Sequence, residues 1–337
     1  MGSPRRVPAE LHGRPFHRDE ALALGVTARQ LQHSRFVDLF PSVHRLEDTL
    51  MTPRAWVEAG RLALPGDAHA SHQTRLVDLG VELGPLFPLH FTVPRDLHLA
   101  AKPSKLFLHR TVALPPVDDG GVSIAAALTG AASILRLLDV VKLADWVLHR
   151  GHVRVHDLRR FTETDHWRPG ADELRRALEL VDPGSASLPE SELRCLLVGA
   201  GLQRPESNAD VHDADGRFLA RGDLVYRWLK LLIEYEGRQH AFDVAQFERD
   251  IHRYGGLRGD AWAYFQATSS MLETPAATVR AIHQLMVRQG YTGAPPSFVG
   301  RRWQSLFEVP TRWRHDARRR GRDSSVAQQP QSRRGRC

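Results

Sequence analysis

The chain has 337 residues, 42% hydrophobic and 25% charged, which is enough for two or three globular domains. No apolar run nears the roughly 18 residues of a membrane span, Met1–Arg6 is not followed by a signal-peptide apolar core, and two cysteines, Cys195 and Cys337, exclude a disulfide framework or a thiolate-rich zinc site. The expected compartment is the cytoplasm. The net charge of +7 gathers in 301–337, where 11 arginines face three acids. That tail can hold a nucleic-acid backbone through counterion release or act only as a solvated, solubilising segment.

Residues 1–13 read as a flexible start. A helix is expected over 18–24, with a break at Gly25. Thr27 suits the N-cap of a second helix over 28–33, and two short strands, 36–40 and 43–46, follow around Pro41-Ser42. Helix, glycine turn, helix and hairpin is the layout of a winged helix-turn-helix over 14–50, which would turn Arg29, Gln30 and His33 toward DNA. A small helical subdomain uses the same turn chemistry.

The region 51–184 reads as mixed α/β. A helix is expected over 55–64, strands over 89–93 and 106–109, and an apolar helical stretch over 125–148 interrupted near Thr129-Gly130. His149, His152 and His156 are close in sequence, but Gly151 separates them and no Cys or acid completes a zinc set, so solvated histidines are the ordinary reading. Residues 183–187 read as a linker opening a new unit, 185–290.

That unit carries the most informative stretch. Ser187 and Glu190 have capping-box spacing and open a helix over 189–199, with Glu190 at the edge of its apolar stripe. Asp213-Ala214-Asp215-Gly216 signals a hairpin turn. Asp223 opens one apolar strand, and 231–236 forms the next, with Glu234 and Glu236 on one face. A turn between the two strands would bring Asp223 near Glu234, and two or three carboxylates converging on one point describe a hard-cation site, most simply for magnesium. The competing reading makes Glu234 and Glu236 edge acids neutralised by Arg221, Arg238 or Arg253. A further helix, a strand near 262–265 and a helix over 276–289 complete the unit, and 291–337 reads as a basic, largely disordered tail.

The set Glu190-Ser191-x-Leu193-Arg194, Gly201-Leu202, Arg221-x-Asp223, Ile233-Glu234-Tyr235-Glu236-Gly237-x-Gln239-His240 and Asp250-x-x-Arg253 resembles the Vsr-like endonuclease-related domains of actinobacterial proteins, within the PD-(D/E)XK nuclease superfamily. Residues 14–50 resemble the winged-helix domain of AbiEi-type antitoxins. The resemblance implies a restriction-endonuclease-like mixed sheet flanked by helices. It also implies a Mg2+ (or Mn2+) ion held by Asp223, Glu234 and the helix-borne Glu190. Glu236 stands where the superfamily's namesake motif has lysine, leaving His240 as candidate general acid or base, Gln239 to orient water or phosphate, and Arg253 to contact DNA. The function so implied is metal-dependent DNA cleavage or nicking. The alternative is a DNA-binding regulator or antitoxin-like protein with a vestigial nuclease domain.

Overall fold

The computed structural model describes residues 7–95, 105–213, 215–236 and 261–310. The fold is mixed α/β, with 11 α-helices and several small sheets among the described residues. It divides into two compact units, Met1–Ala131 with His156–Arg168, and Ala132–Val155 with Pro169–Cys337.

The first unit begins with β1 (Phe16–His17), α1 (Arg18–Ala23), β2 (Phe36–Phe40) and β3 (Val43–Leu46), whose strands form an antiparallel sheet ordered β1-β3-β2. Leu11, Phe16, Ala21, Val26, Leu31, Phe36 and Leu46 are its core. The expected second helix over 28–33 is instead a single 3-10 turn, Gln30–Gln32. Thr27 does act as the predicted cap: Gln30 N donates to its Oγ1 (3.3 Å), while Gln30 Oε1 accepts from Thr27 N (2.8 Å). His33 is already extended, so only one turn forms.

Helix α2 (Pro53–Leu62) starts on a Thr52 cap with proline in its first turn, where its missing N–H costs nothing. Then come β4 (His69–Ala70), α3 (His72–Val77), β5 (Leu89–Val93) and β6 (Leu106–Arg110), forming a sheet ordered β4-β5-β6 with β5 and β6 parallel. Every residue of β5 is buried, as a central strand requires. A hairpin, β7 (Val117–Asp118) and β8 (Gly121–Val122), precedes α4 (Ile124–Ala132). The predicted interruption at Thr129-Gly130 is absent. Thr129 Oγ1 donates to Ala125 O (2.8 Å), a back-bond compatible with helix. The break falls between α4 and α5 (Leu137–His149). Helix α6 (Val155–Thr164) returns mostly to the first unit.

The second unit is built around α5, buried from Leu138 through Leu148 despite Asp139, Lys142 and Asp145. Those charges are paired, with Arg136, Glu192 and Arg194 respectively. Helices α7 (Ala171–Leu178) and α8 (Leu188–Gly199) pack on α5. Strands β9 (Glu206–His212), β10 (Phe218–Tyr226), β11 (Leu231–Glu236) and β12 (Ala263–Thr268) follow, then α9 (Ser269–Leu272), α10 (Pro275–Arg288) and α11 (Arg301–Phe307). The sheet order is β12-β11-β10-β9: β9, β10 and β11 pair antiparallel, and β12 lies parallel to β11. Helix α8 packs against β10 and β11.

Residues 183–187 are not a loose linker. Ser185 is buried, Gly184 N donates to Asp182 Oδ1 (2.9 Å), and Ser187 caps α8. The segments 132–155 and 169–184, grouped with the middle region in the sequence reading, pack with the C-terminal unit. Among the described residues no helix is long and apolar enough to cross a membrane.

Candidate functional site

Asp223 lies where the β10–β11 ladder ends, after the pairs Tyr226↔Leu231, Val225↔Leu232 and Leu224↔Ile233. There Asp223 Oδ2 accepts from Tyr235 N (2.7 Å), so a side chain continues what the main chain began. Gly222 permits close approach of the Leu232 side chain: a Cβ there would sit 2.6 Å from Leu232 Cγ and 2.9 Å from Val225 Cγ2. Arg-Gly-Asp at 221–223 thus places a carboxylate against the backbone of the residue after Glu234.

Glu234 and Glu236 share one face, as the strand period requires. Half-buried Glu234 accepts from Tyr264 Oη (3.0 Å), and exposed Glu236 accepts from Gln266 Nε2 (2.5 Å). Both donors come from β12, where Glu234 registers with Gln266. Arg221 is committed elsewhere, in a two-bond pair with Asp210 (2.7 and 3.1 Å).

Glu190 departs from expectation. It is buried, and its Oε2 accepts from Ala186 N (2.9 Å) and from Asn208 Nδ2 (2.7 Å). Its position in the first turn of α8 draws its carboxylate to Ala186 N, one residue ahead of the Ser187 cap, whose Oγ accepts from Glu190 N (3.3 Å). Asn208, held at φ 47°, also donates to Gly184 O (2.8 Å). The expected convergence of Glu190, Asp223 and Glu234 on one cation is not found. Among the described residues the one set of three His, Cys, Asp or Glu ligand atoms within 4.8 Å of each other is His72, His90 and His109. Gln239, His240 and Arg253, with Arg238 and Asp250, lie outside the described residues.

The frame behind Glu190 was not visible in the sequence. Arg194, fully buried, donates to Asp145 Oδ2 (2.5 Å), Leu180 O (2.5 Å) and Ser185 Oγ (3.2 Å). Asp145 Oδ1 accepts from Asp182 N (2.7 Å), and Ser207 Oγ donates to Asp182 Oδ2 (2.9 Å). Burial pushes the Asp145 carboxyl above its ordinary range, against the pull of Arg194. Next to Arg194, burial pushes the Cys195 thiol up to about 12, which removes it as a nucleophile.

In the first unit Arg29 and His33 are exposed, with His33 Nδ1 accepting from Arg35 N (3.3 Å), and Gln30 spends its amide oxygen on the Thr27 cap. His149, His152 and His156 do not assemble. His149 Nδ1 contacts Pro183 O (2.9 Å), His152 stacks on Trp146, and His156 sits by Asp157. The histidines that do meet, His72, His90 and His109, are 37 residues apart from first to last. The β5–β6 register and the turn into α3 bring them together, so no short motif announces them. Burial first, then His109 and His90, holds the His72 imidazole well below its usual range, hence neutral at pH 7.

Comparisons with protein-family models, curated proteins and solved structures find no match to this chain.

Proposed function

We propose that the C-terminal unit is a divalent-cation-dependent DNA endonuclease or nickase, with Asp223 and Glu234 as the cation-binding carboxylates and Glu190 reassigned to holding α8 against β9. The observation that carries this reading is the Asp223–Tyr235 N hydrogen bond, which pins one acid beside the strand position of the other. The donor set is oxygen only, which suits Mg2+ or Mn2+. When bound, such an ion supplies a Lewis acid and a polarised water for phosphodiester hydrolysis. The protein's own part is to orient the carboxylates: Tyr235 N fixes Asp223 and Tyr264 Oη fixes Glu234. Proton transfer falls to His240, since Glu236 replaces the cationic activator of the PD-(D/E)XK motif. The mixed sheet with α8 packed on it supports the same resemblance.

Full-length protein with supercoiled plasmid and Mg2+ tests the reading. Nicking that disappears in Asp223→Asn is expected; absence of nicking, or equal nicking by the variant, defeats it.

A second reading has its own observation. Asn208, Tyr264 and Gln266 satisfy Glu190, Glu234 and Glu236 with neutral donors, as in a DNA-binding protein with a vestigial nuclease unit. It predicts DNA binding that survives chelation and the Asp223→Asn change.

A further inference from the structure

We propose that His72, His90 and His109 form a binding site for a late first-row divalent metal, with zinc the best match, in the first unit. Three observations made independently of the acids on the C-terminal sheet carry it.

The first is convergence. One ring nitrogen of each histidine lies within 4.8 Å of the others, and His90 Nδ1 and His109 Nε2 are 2.8 Å apart. Tetrahedral zinc with bonds of about 2.0–2.1 Å places its nitrogen ligands about 3.3 Å from one another. The His90–His109 separation would open by about 0.5 Å, and the remaining separations lie within 4.8 Å. His χ2 is a soft torsion, so the His72 and His109 rings, stacked with centroids 3.7 Å apart, would turn out of stacking to aim both lone pairs at one ion.

The second is how the fold builds the cluster. The β5–β6 register pairs His90 with Phe107 and Thr92 with His109, putting both histidines on one face of the sheet. His72 opens α3 at φ 53°, a left-handed conformation unfavourable for a residue with a side chain, and this turns its ring onto His109. Gly130 of α4 covers the other side: a Cβ there would lie 2.9–3.0 Å from three atoms of the His72 ring. A side chain at 130 would fill the space the ring uses.

The third is chemistry. Zinc ligation needs neutral imidazole and an outer partner that fixes the tautomer. Ser71 Oγ lies 2.9 Å from His72 Nδ1, which leaves Nε2 as the ligating atom. The Phe107 ring lies tilted against both His90 and His109 (centroids 5.5 and 4.5 Å), adding apolar surface beside the cluster. Imidazole donors without carboxylate select zinc, copper or nickel over magnesium. Among the described residues three protein ligands would take three of the tetrahedral positions.

The test uses untagged full-length protein, stripped with chelator and titrated with Co2+ as a spectroscopic probe. One equivalent is expected to give the visible bands of tetrahedral cobalt, displaced by Zn2+. His109→Phe and His90→Gln should weaken uptake by roughly tenfold or more, while His149→Gln keeps it. X-ray absorption on the zinc-loaded wild type should count three imidazoles, a readout that needs no variant to fold. No stoichiometric uptake, an octahedral spectrum, fewer than three imidazoles, or tetrahedral bands surviving in folded His109→Phe would overturn the proposal.

Discussion

Replacing Asp145 by alanine should be among the most damaging single changes in the second unit. Its carboxylate and the Arg194 guanidinium are both fully buried, 2.5 Å apart. Removing the acid strands a charge in a low-dielectric interior, at a cost of about 3–5 kcal/mol, a large share of the roughly 5–15 kcal/mol that stabilises a typical domain. Arg194→Met should cost less, because burial already pushes the Asp145 carboxyl upward and it can take a proton. The double variant Asp145→Ala/Arg194→Met removes both charges but leaves Asp182 N and Leu180 O without their partners. It should lose less than the sum of the two single losses, because neither change then strands a charge. Urea unfolding of the four proteins, followed by hydrogen exchange in α5 and α8, completes the cycle. A double variant that loses the full sum of the single losses would refute the coupling. So would single variants within about 0.5 kcal/mol of wild type.

Three further outcomes follow from the same contacts. Glu190→Gln keeps an acceptor for Ala186 N and should preserve both fold and nicking, whereas Glu190→Ala should destabilise by about 1–3 kcal/mol; loss of nicking in a stable Glu190→Gln protein would restore Glu190 to the cation site. The Cys195 thiol is raised from 9.0 to about 12 in the fold, so the stability it contributes is complete below pH 9 and is lost as pH rises toward 12. In that window wild type should lose about 1.4 kcal/mol per pH unit more than Cys195→Ala, and parallel alkaline unfolding curves would contradict this. Arg29 is exposed beside the 3-10 turn, and Arg29→Ala should lower DNA affinity and reduce the salt slope by about one; unchanged binding would remove the first unit from DNA contact.

What the sequence made legible was local. The strands around Leu224 and Ile233, the α8 start at Ser187, and β5 at Leu89–Val93 all follow from short apolar runs and caps. Placing Glu234 and Glu236 on one face needed only the strand period. The misreadings came from groups that local and longer-range contacts compete for. Glu190 carried both a capping-box and a metal-ligand reading, and the Ala186 and Asn208 donors give it to the cap. Thr129-Gly130 reads as a breaker until the back-bond to Ala125 is known. Asp145 and Arg194 lie 49 residues apart, so no spacing rule pairs them. The same holds for the histidine cluster, which exists only through sheet register and the turn into α3.

Whether Asp223 and Glu234 share one divalent cation is decided by Mn2+ binding read by electron paramagnetic resonance, after one equivalent of Zn2+ has filled the histidine cluster. One Mn2+ per chain, lost in both Asp223→Asn and Glu234→Gln and kept in Glu190→Gln, is the predicted result. A wild-type protein that leaves all Mn2+ free in solution, or an Asp223→Asn protein that binds it equally well, would show that these acids hold no shared ion.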